Sequence, residues 1–171
     1  MKKPIDAAEF PLGPALDFLQ RMWRLNHALE RLSGRMEKQL GITAQQRLLI
    51  RCVGKYPGIT SGQLATVLHL DPGTVSIALR RLEHKGHTER RRDPSDGRRV
   101  ALGLTSTGRA LDAPTAGTVE EAVEQLLASC SPEQVDVVAG LLERFTTLLD
   151  EKEPAPVSVS APTLATRPSQ E

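Results

Sequence analysis

Cysteine is scarce: Cys52 and Cys130 are the only two among 171 residues, too few for a disulfide framework and not spaced as a CxxC pair. Aromatics number five, so composition alone promises no stacking-rich pocket. Long apolar runs are missing, none approaching the roughly 18 residues of a membrane span. The start Met1-Lys-Lys-Pro4 lacks the apolar stretch of a signal peptide, which predicts a cytoplasmic protein with no membrane partner. There is no phosphate loop, no GxSxG, no HExxH and no evident nucleophile–base pair, so no enzyme is predicted. The four histidines, His27, His69, His84 and His87, lack ligand spacing, and neither a metal nor another cofactor is expected. Together these absences exclude collagen, membrane proteins, stapled secreted scaffolds and wholly disordered chains.

What is present reads as an ordinary globular protein, 39% hydrophobic and 25% charged, of a length for one domain and an appendage. Charge nearly cancels, with 22 Lys and Arg against 21 Asp and Glu, but it is unevenly placed. Between Thr43 and Ala110 stand 12 basic and 5 acidic residues, a net +7, while the remainder carries net −6. A basic middle between acidic flanks suits a polyanion partner, or else a solvated charged face.

Residues 1–11, ending at Pro11, predict a flexible arm, and the Pro-rich residues 153–171 a disordered tail. Between them the period is mostly helical. A first helix runs from about Pro14 to Leu40, before Gly41. It carries two apolar stripes, Leu16-Leu19-Trp23 and Met22-Leu25-Leu29-Leu32-Met36, more than one small domain can cover. The capping boxes Thr43-Ala-Gln-Gln46, Thr60-Ser-Gly-Gln63 and Ser131-Pro-Glu-Gln134 open three further helices, to about Gly54, Leu68 and Asp150. Asp71-Pro72 opens another, closed by Gly86. From Gly86 to Thr105 the helical period vanishes. His87–Arg92 and the alternating Val100, Leu102 and Leu104 predict an antiparallel pair about an Asp93-Pro-Ser-Asp-Gly97 turn. Thr105 then caps a helix expected to reach Ser129, kinked at Pro114.

Two short helices joined by a tight turn make a helix-turn-helix, whose second helix fits the major groove of double-stranded DNA. In the 71–85 helix, Val75, Leu79 and Leu82 form one buried face. The opposite arc holds Gly73, Thr74, Ser76, Ile77, Arg80, Arg81 and His84. Its hydroxyls suit phosphates or bases, its arginines suit guanine, and Ile77 suits a thymine methyl. The competing reading is an amphipathic surface helix with arginines for solubility. The hairpin argues against that. Arg90, Arg91 and Arg92 on one strand and Arg98 and Arg99 on the other crowd five guanidiniums around one turn, a costly arrangement unless a polyanion relieves it.

The blocks Leu64-Ala-Thr-Val-Leu68, Asp71-Pro-Gly-Thr-Val-Ser76, Leu79-Arg-Arg-Leu-Glu83, Lys85-Gly86, Asp93-Pro-Ser-Asp-Gly-Arg-Arg99 and Leu104-Thr-Ser-Thr-Gly108 stand in an order and spacing that resemble the multiple-antibiotic-resistance regulator (MarR) family. The resemblance spans about residues 12–150. Gly97 departs from it, standing where a second charged residue is common, and leaves Arg98 or Arg99 as the inserting arginine. The fold it implies is mainly α with a small β-hairpin wing: a winged helix-turn-helix core over 42–111, flanked by dimerisation helices over 12–41 and 112–152. The function it implies is a ligand-responsive transcription regulator, a repressor that binds a pseudo-palindromic operator as a homodimer. Gly73, Thr74, Ser76, Ile77, Arg80 and Arg81 would read the major groove, and Arg91, Arg92, Arg98 and Arg99 would anchor the wing.

Members of the family release DNA when a small, commonly phenolic, anion binds between the dimer helices and the DNA-reading domain. Phe18, Trp23, His27, Cys52 and Tyr56 are the candidates to line such an aromatic or anionic effector site, with simple core packing as the alternative for Phe18 and Trp23. Two other readings stay open: a winged-helix module that binds protein instead of DNA, and a redox sensor using Cys52 or Cys130.

Overall fold

In the computed structural model, which describes residues 11–92 and 100–152, helix starts are set by side chains that satisfy otherwise free backbone N–H groups. Thr43 and Thr60 each complete a reciprocal capping box, with Gln46 and Gln63, at the starts of α2 (Ala44–Lys55) and α3 (Ser61–Leu68). Asp71 accepts from the Thr74 N–H at 2.9 Å, and Pro72 occupies the first turn of α4 (Pro72–His84). The stop of α4 is equally local. Gly86 sits at φ 74°, its N–H bonds the Glu83 carbonyl, and the His87 N–H reaches back to Leu82 at 2.8 Å, a Schellman closure.

That closure turns the chain into β1 (Thr88–Arg92), antiparallel to β2 (Val100–Leu104), with Thr88 opposite Leu104 and Arg92 opposite Val100. The Asp93–Gly97 turn expected between them lies outside the described residues. The far edge of β2 is covered by the stretch after α2: Leu102 donates to the Ile59 carbonyl at 2.9 Å and accepts from the Gly58 N–H at 3.3 Å. Leu102 and Leu104 point inward, joining Leu49, Ile50 and Val53 of α2, Leu64 of α3, and Val75, Leu79 and Leu82 of α4 in one core.

Helix α1 (Gly13–Leu40) precedes this core, 28 residues and about 42 Å long. It ends as expected at Gly41, φ 73°, whose N–H bonds the Glu37 carbonyl. Its expected two stripes are present, but only Met36 is fully buried. Leu16, Phe18, Leu19, Leu25 and Leu29 are exposed, and Trp23 is 64% exposed. Phe18 and Trp23 are thus not among the buried core residues.

The expected single helix from Thr105 to Ser129 is instead two. Helix α5 (Ser106–Asp112) stops at Ala113, which is extended (ψ 149°), and α6 (Val119–Ala128) begins after Thr118. The residue before a proline is pushed out of the helical region, and here Pro114 breaks the helix rather than kinking it. The new start has its own cap, since the Thr118 hydroxyl accepts from the Glu121 N–H at 3.3 Å and the Glu121 carboxylate accepts from the Gly117 N–H at 2.6 Å.

The chain divides into two compact units, meeting between Ala128 and Ser129. The second contains α7 (Pro132–Asp150), opened by the expected Ser131–Gln134 capping box. None of the α7 side chains is fully buried, and Val138, Leu141, Leu142, Leu148 and Leu149 are exposed. Among the described residues no helix is long and apolar enough to cross a membrane. The predicted arm (residues 1–10 of it) and the Pro-rich tail lie outside the described residues.

Candidate nucleic-acid interface

Helix α4 is split lengthwise. Val75, Ala78, Leu79 and Leu82 are buried, while Gly73, Thr74, Ile77, Arg80, Arg81 and His84 are exposed and Ser76 is half-buried. Ile77 is 48% exposed, an apolar side chain held in the middle of a polar face. Gly73 has a local reason to be glycine, because a β-carbon there would stand 2.9 Å from the Asp71 carboxylate that caps the helix. The same smallness lets the first turn approach a partner surface closely. Both Arg80 and Arg81 are exposed, and among the described residues neither makes an ion pair.

The hairpin stands beside this face. Arg90 Nε donates to Glu83 Oε1 of α4 at 2.5 Å, and Arg91 pairs with Glu89 on the same strand. Arg92 is exposed and, among the described residues, unpaired. Arg98 and Arg99 lie outside the described residues. At the root of the hairpin, α5 presses close. The Thr105 and Thr107 hydroxyls both donate to the Gly86 carbonyl, at 2.6 and 2.7 Å. A β-carbon at Gly108 would stand 1.9 Å from the His87 carbonyl oxygen. His87, just before the first strand of the hairpin, is half-buried, its Nδ1 3.4 Å from the Thr107 hydroxyl. Burial, with Lys85 adding a like charge, holds its imidazole below the ordinary histidine range.

Not all the basic middle faces outward. Arg47 of α2 is 1% exposed. Its guanidinium donates to the Leu111 carbonyl and, at 2.9 Å, to that of Ala113, and its Nε lies 3.0 Å from Glu120 Oε1. Arg51 pairs with Asp112 at 2.9 Å, Arg109 donates to the Leu104 carbonyl, and Lys85 donates to the Gly41 carbonyl at 2.6 Å. Sequence reasoning counted these with the DNA-facing charge and missed their structural work. The available signal is that Arg47 precedes Ile50 by three residues, on the flank of the buried Gln46-Leu49-Ile50-Val53 stripe.

Comparison with known proteins agrees with this geometry. The MarR family model matches residues 42–100, from the start of the core through the first residue of β2. An HTH-type transcriptional repressor from Mycobacterium tuberculosis is 30% identical over 106 residues, which cover 62% of this chain and 76% of the relative. The chain belongs to the MarR family. The homoprotocatechuate degradative operon repressor of Escherichia coli is likewise 30% identical over 112 residues, 65% of this chain and 75% of that one. Two solved structures resemble it closely enough to inform the interface. The Staphylococcus aureus MepR–DNA complex has TM-score 0.62 and 26% identity, covering 78% of this chain and 97% of that one. Streptococcus pneumoniae FabT in complex with DNA has TM-score 0.58 and 28% identity, covering 81% and 97%. This MarR-family chain is therefore a DNA-binding transcriptional regulator with a winged helix-turn-helix core.

Among the described residues, the cavity-lining side chains do not bring the residues considered for a MarR-type effector site together. Phe18, Trp23 and His27 are spread along the exposed length of α1, with His27 3.5 Å from Glu30. Tyr56, the C-cap of α2, lines a groove of about 850 Å³ with Pro57, Ile59, Gln63, Val67 and Pro72, and none of the other four residues borders it. Cys52 is half-buried in α2, and burial pushes its thiol up against the opposing pull of Lys55 and Arg51. A reactive redox cysteine needs the opposite shift. Cys130, half-buried, immediately precedes the cap of α7.

Proposed function

We propose that this regulator is a repressor that binds a pseudo-palindromic operator as a homodimer and is released by a small aromatic or anionic effector. Helix α4 of each protomer reads base edges in successive major grooves, about one helical turn apart, while each wing anchors in the flanking minor groove. The observation that carries this reading is the two-sided α4. Its buried leucines fix it to the core, and its opposite face offers a hydroxyl, an apolar side chain and two exposed arginines that make no ion pair among the described residues. Thr74 and Ser76 serve phosphates or base edges, Arg80 and Arg81 guanine, and Ile77 a thymine methyl. Arg91, Arg92, Arg98 and Arg99 supply the wing's charge.

Self-association is favoured by the unspent apolar surface of α1 and α7, where Leu16, Trp23, Leu25, Leu141, Leu142 and Leu149 are all exposed. A monomer leaving this much aliphatic and aromatic surface in water forgoes about 25 cal/mol for each Å². The effector site is the finer part of the proposal. Among the described residues Phe18, Trp23, His27, Cys52 and Tyr56 share no cavity, and a second copy would complete the site.

Anisotropy titration of labelled duplexes tests the reading: DNA from upstream of the chain's own gene against random sequence, across a salt series. Expected are a steep negative salt slope, a preference of about a thousandfold or more, and a stoichiometry of two chains per duplex. Binding indifferent to both sequence and salt, here and on duplexes selected from a random pool, contradicts it.

A further inference from the structure

The corner between α5 and α6 is held by a residue of neither. Arg47 projects from α2 through the interior and donates to the carbonyls of Leu111, in the last turn of α5, and Ala113, its C-cap. Its Nε faces the carboxylate of Glu120, in the first turn of α6, at 3.0 Å. Both Glu120 oxygens and Arg47 Nε are shut off from solvent and, among the described residues, make no hydrogen bond, so charge alone joins the two side chains. Removing one partner of such a pair strands the other. One turn further along α2, Arg51 bonds both the carbonyl and the carboxylate of Asp112. Gly54 keeps α2 bare there, since a β-carbon would meet that carboxylate at 2.3 Å. The adjoining face of α2 carries Leu49, Ile50 and Val53 in the core it shares with α4. One helix thus contacts both the DNA-reading helix and the exit of α6.

We propose that Arg47 is a positioning residue that sets the half-site spacing: by clasping the α5–α6 corner to α2, it fixes the angle between α6 and the recognition helix. This rests on the homodimer reading above, because α6 lies against α1, whose exposed stripe is the surface offered to a second copy. Any rotation of the corner would swing α4 relative to its counterpart across the dimer. Geometry makes DNA sensitive to that swing, since one inserted base pair moves a half-site by about 3.4 Å and turns it by roughly 35°. The link has room to move without the clasp. It contains Gly117 at φ 75°, and a cavity of about 230 Å³ lies beside the ion pair, lined by Arg51, Thr118, Glu121 and Glu124.

The test uses the full chain with Arg47→Lys and Glu120→Gln. Lysine keeps the charge but lacks the fork that holds two carbonyls and a carboxylate together. Glutamine keeps the volume and removes the ion pair. The probes are a single half-site and duplexes whose half-sites, taken from a consensus selected with the wild-type chain, lie at the selected spacing, one base pair closer, or one or two further apart. For wild type, each displaced spacing should cost about tenfold or more in affinity. In both variants that penalty should shrink to about threefold or less, with single half-site affinity and sedimentation as a dimer unchanged. Folded, dimeric variants that keep the wild-type spacing profile overturn the proposal. If Arg47→Lys does not fold, Glu120→Gln decides alone. A wild-type chain that sediments as a monomer, or ignores spacing, overturns the homodimer reading and this inference together, before any variant is compared.

Discussion

Glu83, on the recognition helix, accepts a hydrogen bond at 2.5 Å from Arg90 on the first strand of the wing. The two elements proposed to face DNA are thereby tied side chain to side chain, and one of the hairpin's arginines is neutralised within the protein. The pair is partly exposed, so its worth to stability is at most about 1 kcal/mol. Its larger effect is on charge and orientation. Glu83→Ala should release Arg90 toward phosphate, raising affinity for random DNA and steepening the salt slope by about 0.9. Operator preference should fall because the wing is no longer referenced to α4. An unchanged salt slope in the titration series would show that Arg90 stays away from DNA.

Arg80 and Arg92 are both unpaired among the described residues, yet they should behave differently. Arg80→Ala should cost about 1–3 kcal/mol on the operator and much less on random sequence, as expected for base-edge contact. Arg92→Ala should weaken both DNAs alike, as expected for backbone contact. Titrating both variants on both duplexes checks this, and equal losses for Arg80→Ala would remove it from base readout.

Gly108 illustrates why one of the resemblance blocks, Leu104-Thr-Ser-Thr-Gly108, ends as it does. Alanine usually favours a helix over glycine by about 1 kcal/mol. Here its β-carbon would stand 1.9 Å from the backbone oxygen of His87, which no side-chain rotation relieves. The clash should outweigh the propensity gain, giving a net loss of about 1–3 kcal/mol in urea unfolding with the slope unchanged. A Gly108→Ala chain as stable as wild type would mean that α5 does not press on the wing root.

The sign of the pH dependence follows from His87. Its imidazole is held below the ordinary value of 6.5 by burial, with help from Lys85, so the unfolded chain takes up the proton first. Its contribution to stability is therefore complete above about pH 6.5 and is lost as pH falls through that value toward the folded one. Thermal melts between about pH 7.5 and 5.5 should show a smaller fall in Tm for His87→Gln than for wild type. Parallel falls would assign the acid sensitivity to other groups.

Local chemistry was legible in the sequence, and long-range pairing was not. Thr43, Thr60, Asp71 and Ser131 announce their helices because a cap depends on residues three apart. The two faces of α4 follow from the helical period alone. The break after Asp112 was missed although Thr118-Val-Glu-Glu121 carries the capping-box pattern, with Glu where the other boxes have Gln. Pro114 allows either a kink or a break. What accompanies the break is Arg47, which claims the Leu111 and Ala113 carbonyls from more than 60 residues away. Nor could the charge count distinguish Arg47 and Arg51, bonded inside, from Arg80 and Arg81, which face out. An arginine's destination depends on the fold.

Methylation protection of the selected operator tests the central claim most directly, because dimethyl sulfate marks guanine N7 in the major groove and adenine N3 in the minor groove. The account predicts two clusters of protected guanines about one helical turn apart on one face of the duplex, flanked by protected minor-groove adenines, with Arg80→Ala lifting guanine protection in both clusters. Protein bound at saturation with every guanine N7 still reactive would contradict α4 as the reading helix.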